Sequence, residues 1–208
     1  MKKYFIVLII LFLLVSCDNK IEKKVYFDFQ IGKSFDYNKN RVNQLCESGL
    51  FLQNIDRYPY AEHKLKDGNY YSAPFFLTFP ADTTVAEIQV IYLTDLNNLK
   101  SDMEGLHNNN RVMNLPLYSD GGITPDLIKE DIIQNLTKKY GNFDSLDTLR
   151  PINIDGYKLI YNWKDREDVN IELNYLFDAS FMERTSILLK YNFTDEIKEK
   201  LKKNSSVY

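Results

Sequence analysis

The longest apolar run in the chain is Tyr4 to Val15, inside "MKKYFIVLIILFLLVSCDNK", and it gives way at once to polar residues. A bilayer core needs roughly 20 apolar residues from an untilted helix, so this run is short for a permanent span. Beyond it the spacing changes several times. In "VYFDFQI", Val25, Phe27, Phe29 and Ile31 share one parity, which predicts a strand ending at Gly32. Asp36 is placed to cap a helix running to about Ser48, with Gly49 as its stop. The stretch 51–68 has no clean period. "APFFLTF" and "VAEIQVIYL" read as a hairpin joined at Pro80-Ala81-Asp82. Pro74 belongs at an edge or a strand start there, because it cannot donate to a ladder.

From Asp95 the spacing turns helical, with Leu96, Leu99, Met103 and Leu106 on one face. "HNNN" then predicts a loop, "RVMNLPLY" an extended piece and "SDGGI" a turn. The best-marked helix follows in "TPDLIKEDIIQNLTKKYG". Thr124 caps it, Pro125 takes the first helical position, Lys138 and Lys139 sit at the negative end, and Gly141 closes it. Ile128, Ile132, Leu136 and Tyr140 lie four apart on its inner face. In the last third, Tyr157, Leu159, Tyr161 and Trp163 alternate, as do Val169, Ile171, Leu173 and Tyr175, with Asp165 to Asp168 as the turn between them. Asn170, Glu172 and Asn174 then face water. Ile187, Leu189, Tyr191 and Phe193 make a third strand, and "TDEIKEKLKK" a short final helix with acids first and lysines last.

These elements predict an α+β fold: an antiparallel sheet covered on one face by helices. Residues 25–208 form one globular domain that divides into halves 25–120 and 121–208, each with a glycine, a helix and aromatic-rich strands in that order. No residue-level match between the halves goes beyond that plan.

The leader carries more specific information. Lys2 and Lys3 precede the apolar run and the small residue Ser16 ends it, the layout of a secretory signal. Leu14-Val15-Ser16-Cys17 resembles the lipobox of bacterial lipoproteins, and the resemblance covers residues 1–17. It implies removal of residues 1–16 as a signal peptide, diacylglycerol on the Cys17 thiol, and acyl chains such as palmitate holding Cys17 to a membrane. One chain alone binds reversibly, at about 0.8 kcal/mol per buried methylene, whereas two or three anchor stably. Residues 17–24 are then a lipidated cysteine and a polar tether, too poor in apolar side chains to pack. Asp18 resembles an inner-membrane retention signal and the acidic, lysine-bearing stretch resembles a surface-export signal. The two point to opposite membranes.

Charge and cysteine content narrow the partners. Losing Lys2 and Lys3 with the leader takes the formal charge from −3 to −5, so the chain lacks the basic balance that nucleic acid requires. Of the two cysteines the lipid takes Cys17, which leaves Cys46 without an intramolecular disulfide partner. Cys46 shares a helical face with Val42 and Leu45 and reads as a buried small hydrophobe. His63 and His107 stand far apart in polar surroundings, with no cysteine or histidine at ligand spacing, so neither a metal nor another cofactor is expected. Gly-rich phosphate loops, nucleophile elbows and zinc-protease motifs are missing from the sequence.

Asp82-Thr83-Thr84, Asp144-Ser145-Leu146 and Asp147-Thr148-Leu149 resemble a bacterial O-glycosylation acceptor and fall in predicted loops. The functional expectation is a lipid-anchored envelope protein that binds a protein or small ligand without catalysis. Tyr157, Tyr161, Trp163 and Tyr175 are its candidate contact residues if their side of the sheet is open, and loops 51–69 and 107–122 are the other candidates. An envelope hydrolase with acids assembled by folding and an inhibitor or immunity protein are the alternatives.

Overall fold

The computed structural model describes residues 23–53, 58–79, 83–96, 117, 123–152, 155–179 and 184–205. The leader, Cys17, His107, most of the tether, nearly all of the helix expected from Asp95 and all of the loop 107–122 except Leu117 lie outside the described residues.

"VYFDFQI" is not one strand. Short strands β1 (Lys23–Lys24) and β2 (Gln30–Ile31) pair with each other, and a 3-10 turn at Tyr26–Asp28 lies between them. Phe27 and Asp28 have φ of 50° and 61°, and the Asp28 and Phe29 amides donate back to the carbonyls of Val25 and Tyr26. The turn lets Val25, Phe29 and Ile31 all reach the core, while Phe27 packs edge-on against Phe51 at 5.0 Å. Helix α1 (Phe35–Glu47) starts two residues earlier than Asp36 suggests: Ser34 is the cap, its Oγ accepting the Tyr37 amide at 3.2 Å.

Eight strands then form one antiparallel sheet: β3 (Leu52–Gln53), β4 (Pro59–Leu65), β5 (Gly68–Thr78), β6 (Val85–Leu93), β7 (Ser145–Leu149), β8 (Gly156–Arg166), β9 (Val169–Asp178) and β10 (Arg184–Phe193). Their order in space is β3-β4-β5-β6-β10-β9-β8-β7. Two four-stranded meanders therefore meet along their last strands, with Leu189 opposite Val90 and Tyr191 opposite Ile88. Helix α1 precedes the first meander, α2 (Pro125–Tyr140) precedes the second, and α3 (Asp195–Ser205) follows it.

The expectation of an α+β fold with helices covering the sheet is corrected by this arrangement. Strand outweighs helix among the described residues, and the molecule is a predominantly antiparallel β structure with few helices. Three strands of this sheet were hidden in the sequence: β3 and β4 in the aperiodic stretch and β7 in a predicted loop. The helices contribute little to the core, namely Asn38, Val42 and Leu45 from α1, Ile128, Ile132 and Leu136 from α2, and Ile197 from α3. Most of it comes from the sheet, where Ile88, Val90, Leu173, Leu189, Trp163 and Phe193 are all buried on one face.

Pro74 is inside β5 rather than at its start. The ladder with β4 ends at the Ala61–Ser72 pair, so the prolyl nitrogen lies beyond it, where its missing N–H costs no bond to β4. The opposite face carries a smaller cluster of Tyr60, Ala73, Ile91, Leu93 and Leu188. Beside it runs a polar row in which Lys190 stands opposite both Gln89 and Glu172. Asn174, expected in water, is buried there and donates to Glu172 at 2.6 Å. The burial of Glu172 pulls its pKa up, but that amide and Lys190 at 3.3 Å outweigh it and leave the carboxyl below its usual range.

Candidate functional site

Helix α2 forms as the sequence predicts: Thr124 Oγ1 accepts the Leu127 amide, Pro125 begins the helix, and Gly141 ends it at φ 81°, in the region that favours glycine. Its C-terminal carbonyls are held from the sheet side. Trp163 Nε1 donates to the Gly141 carbonyl at 2.8 Å and Arg166 Nε to that of Tyr140 at 3.0 Å, while Arg166 also meets Asp144 at 3.1 Å. A register shift between Trp163 and Arg166, next to positive φ at Asp165, Glu167 and Asp168, directs Arg166 at the helix end.

So fixed, α2 leaves a cavity of about 280 Å³ between itself, the Tyr26–Asp28 turn and the middle of the sheet. Ile132, Leu136, Leu189 and Phe27 give it an apolar body. Tyr26, His63, Tyr92, Tyr140 and Tyr191 bring rings with polar ends, and Asn135 and Lys139 line it from the second stripe of α2. Tyr92 and Tyr191 sit where β6 and β10 join, so the cavity lies at the seam of the two meanders.

A polar network forms its wall on the β4–β5 side. The His63 ring stacks on Tyr70 with centroids 4.5 Å apart, and His63 Nε2 lies 2.6 Å from Ser72 Oγ. Ser72 Oγ is also hydrogen-bonded to the Tyr26 hydroxyl. Tyr70 donates to Asp131 Oδ2 at 2.6 Å, and Asn135 Nδ2 donates to the same oxygen at 3.1 Å. Burial holds the Tyr26, Tyr70, Tyr92 and Tyr191 phenols well above their ordinary pKa, so they stay neutral donors. The Tyr140 hydroxyl is buried without a hydrogen-bond partner among the described residues. That is costly unless something else satisfies it.

Ser72 and His63 have the spacing of a nucleophile and its base. Ser72 is 0% exposed, however, and its oxygen is shared with Tyr26, so a carbonyl carbon has no route to it. The pair reads as part of the wall. No group of three or more His, Cys, Asp or Glu side chains that could hold a metal occurs among the described residues.

The candidate contact residues on the last strands lie on the core side. Trp163 is 0% exposed and Tyr161 and Tyr175 are buried with it, which leaves Tyr157 alone partly open at 37%. Their alternation is that of a core face, and the open-face condition is not met for the other three. Tyr157 stacks on Phe177 at 5.4 Å and lines a shallow second hollow with Arg150 and Asp155. Cys46 is half-buried, and burial pushes its thiol up, away from the reactive thiolate. Asp144-Ser145-Leu146 and Asp147-Thr148-Leu149 lead into and form the exposed edge strand β7 rather than loops.

Sequence reading placed His63 in polar surroundings and Tyr26 on a strand, and passed over Ser72 and Tyr92. The usable signal was the alternation Ala61-His63-Leu65, which faces Tyr70 and Ser72 across the β4–β5 hairpin. No protein-family model, curated protein or solved structure matches the chain.

His63 makes the site sensitive to acid. Burial lowers its pKa below the ordinary 6.5, against a smaller opposing pull from Asp131. The unfolded chain therefore binds the proton first, and the stability held above pH 6.5 is lost as pH falls from 6.5 through the lower folded value. Urea midpoints measured between pH 8 and pH 5 are expected to fall in this window for the wild type. A His63→Asn variant should lose that drop and keep only the carboxylate-driven decline below the ordinary glutamate value of 4.5 to which Glu172 contributes.

Proposed function

We propose that this chain is a lipid-anchored protein of the bacterial envelope that binds a small molecule, without catalysis, in the cavity between α2 and the sheet. The observation that carries the binding reading is the cavity itself, with an apolar body ringed by tyrosines and a lysine at its rim. The anchor reading rests on Leu14-Val15-Ser16-Cys17 behind a charged and apolar leader. Among the described residues no helix is long and apolar enough to cross a membrane.

Near the amino-terminal side of the described residues the Lys23 ammonium meets Asp168 at 2.8 Å beside the β8–β9 turn, and Tyr26 and Phe27 form a wall of the cavity. Native mass spectrometry of the protein extracted from membranes tests both readings. The expected spectrum shows a chain beginning at an acylated Cys17 and carrying a non-covalent small-molecule adduct. A free Cys17 thiol or an uncut leader would refute the anchor, and a chain with no adduct would refute the binding role.

A further inference from the structure

The α2 side of the cavity is charged asymmetrically. Asp131, Asn135 and Lys139 follow one another at four-residue spacing, so the stripe runs from an acid to a base over two turns, about 12 Å. Asp131 is already engaged by Tyr70 and Asn135. Lys139 pairs with no carboxylate among the described residues; its Nζ lies 5.0 Å from the Tyr140 ring centroid. One end of the cavity therefore offers a cation, Lys139, to an anion, while the acid of the stripe, Asp131, stands outside the lining and is held in the wall.

The rest of the wall selects the body of the ligand. Rings from Tyr26, Phe27, His63, Tyr92, Tyr140 and Tyr191 surround the space, and aromatic walls favour an aromatic guest in stacked or edge-on contact. At about 30 Å³ for each water-sized group, a volume of about 280 Å³ holds one ring with a short arm. We propose that the cavity takes a small aromatic monocarboxylate, its acid group at Lys139 and its ring against Leu136, Leu189 and Tyr191. This assignment rests on the reading of the cavity as the binding site.

Phenylpropionate and its uncharged counterpart phenylpropanol separate the two claims when each is titrated calorimetrically into the full chain. The acid is expected to bind more tightly than the alcohol and to weaken as salt is raised. In Lys139→Gln the acid should lose about two- to fivefold in affinity, the range of an exposed ion pair, with the alcohol unchanged. Lys139 is exposed, so this variant keeps the fold. An alcohol that binds as well as the acid, or an acid indifferent to Lys139→Gln, overturns the carboxylate assignment and leaves the cavity as a site. Failure of both probes overturns the aromatic-acid class as a whole, while an adduct on the extracted protein would still uphold the site.

Discussion

Replacing Trp163 with alanine is expected to cost about 5 kcal/mol of folding stability. The indole is 0% exposed and sits on the core face of β8, edge-on to Phe143 at 5.9 Å. Truncating a buried tryptophan costs about 3–5 kcal/mol through lost transfer energy and the cavity left behind. The Gly141 carbonyl at the end of α2 also loses its 2.8 Å donor, worth about 1 kcal/mol more. Against a total that is about 5–15 kcal/mol for most domains, such a variant is close to unfolding at room temperature. Trp163→Phe separates the two contributions in part, since it keeps one buried ring but loses the N–H and some ring volume; about 2 kcal/mol is expected. Urea unfolding of the two variants measures the difference. A Trp163→Phe variant as stable as the wild type would show that the bond to Gly141 contributes nothing beyond the ring.

Asn38→Ala is the second large effect, at about 3 kcal/mol. Asn38 is 0% exposed, and its amide does for β2 what a neighbouring strand would do: Oδ1 accepts the Gln30 amide at 2.8 Å and Nδ2 donates to the Gln30 carbonyl at 2.9 Å. Alanine would leave both backbone groups buried and unpaired, at about 1–3 kcal/mol each before relaxation. Asn38→Asp tests the pairing itself, because a carboxylate can still accept the amide but turns an acceptor toward the Gln30 carbonyl. It should be no better than alanine. A thermal midpoint for Asn38→Ala within a degree or two of the wild type would show that α1 and β2 are held by packing alone.

Elements with strong local marks were legible in the sequence. Helix α2 was specified by Thr124, Pro125 and Gly141 at its ends and by the four-residue spacing of Ile128, Ile132 and Leu136 between them. The alternation in β8, β9 and β10 was equally clear, because one face of each strand is buried along most of its length. What escaped was decided by pairing at a distance. β4 mixes apolar, charged and histidine side chains, and its strand character comes from β5, through Ala61–Ser72 and His63–Tyr70. β7 is an edge strand, exposed over most of its length, and has no apolar face to betray it. Tyr26–Asp28 broke an alternating pattern because left-handed turns at Phe27 and Asp28 were favoured once three apolar side chains had to reach one core.

The site was legible only in parts for the same reason. Its helical wall, Ile132, Leu136 and Tyr140, followed from periodicity. Its polar wall joins residues far apart in the chain, with Tyr26 bonded to Ser72 and Tyr70 to Asp131 across separations of 46 and 61 residues. Local spacing carries no record of such contacts. Trp163, Tyr161 and Tyr175 are buried, so the open face on which their expected contact role depended is not there for them.

The cavity beneath α2 is the centre of this account, and a substitution that fills it tests it most directly. Leu136 is buried on the inner face of α2 and lines the space, so Leu136→Trp directs an indole into it. Native mass spectra of the membrane-extracted wild type and variant, compared at matched thermal stability, are the measurement. The expected result is an adduct on the wild type that is absent from Leu136→Trp. An adduct that persists on a folded variant would place the ligand elsewhere on the molecule and contradict the account.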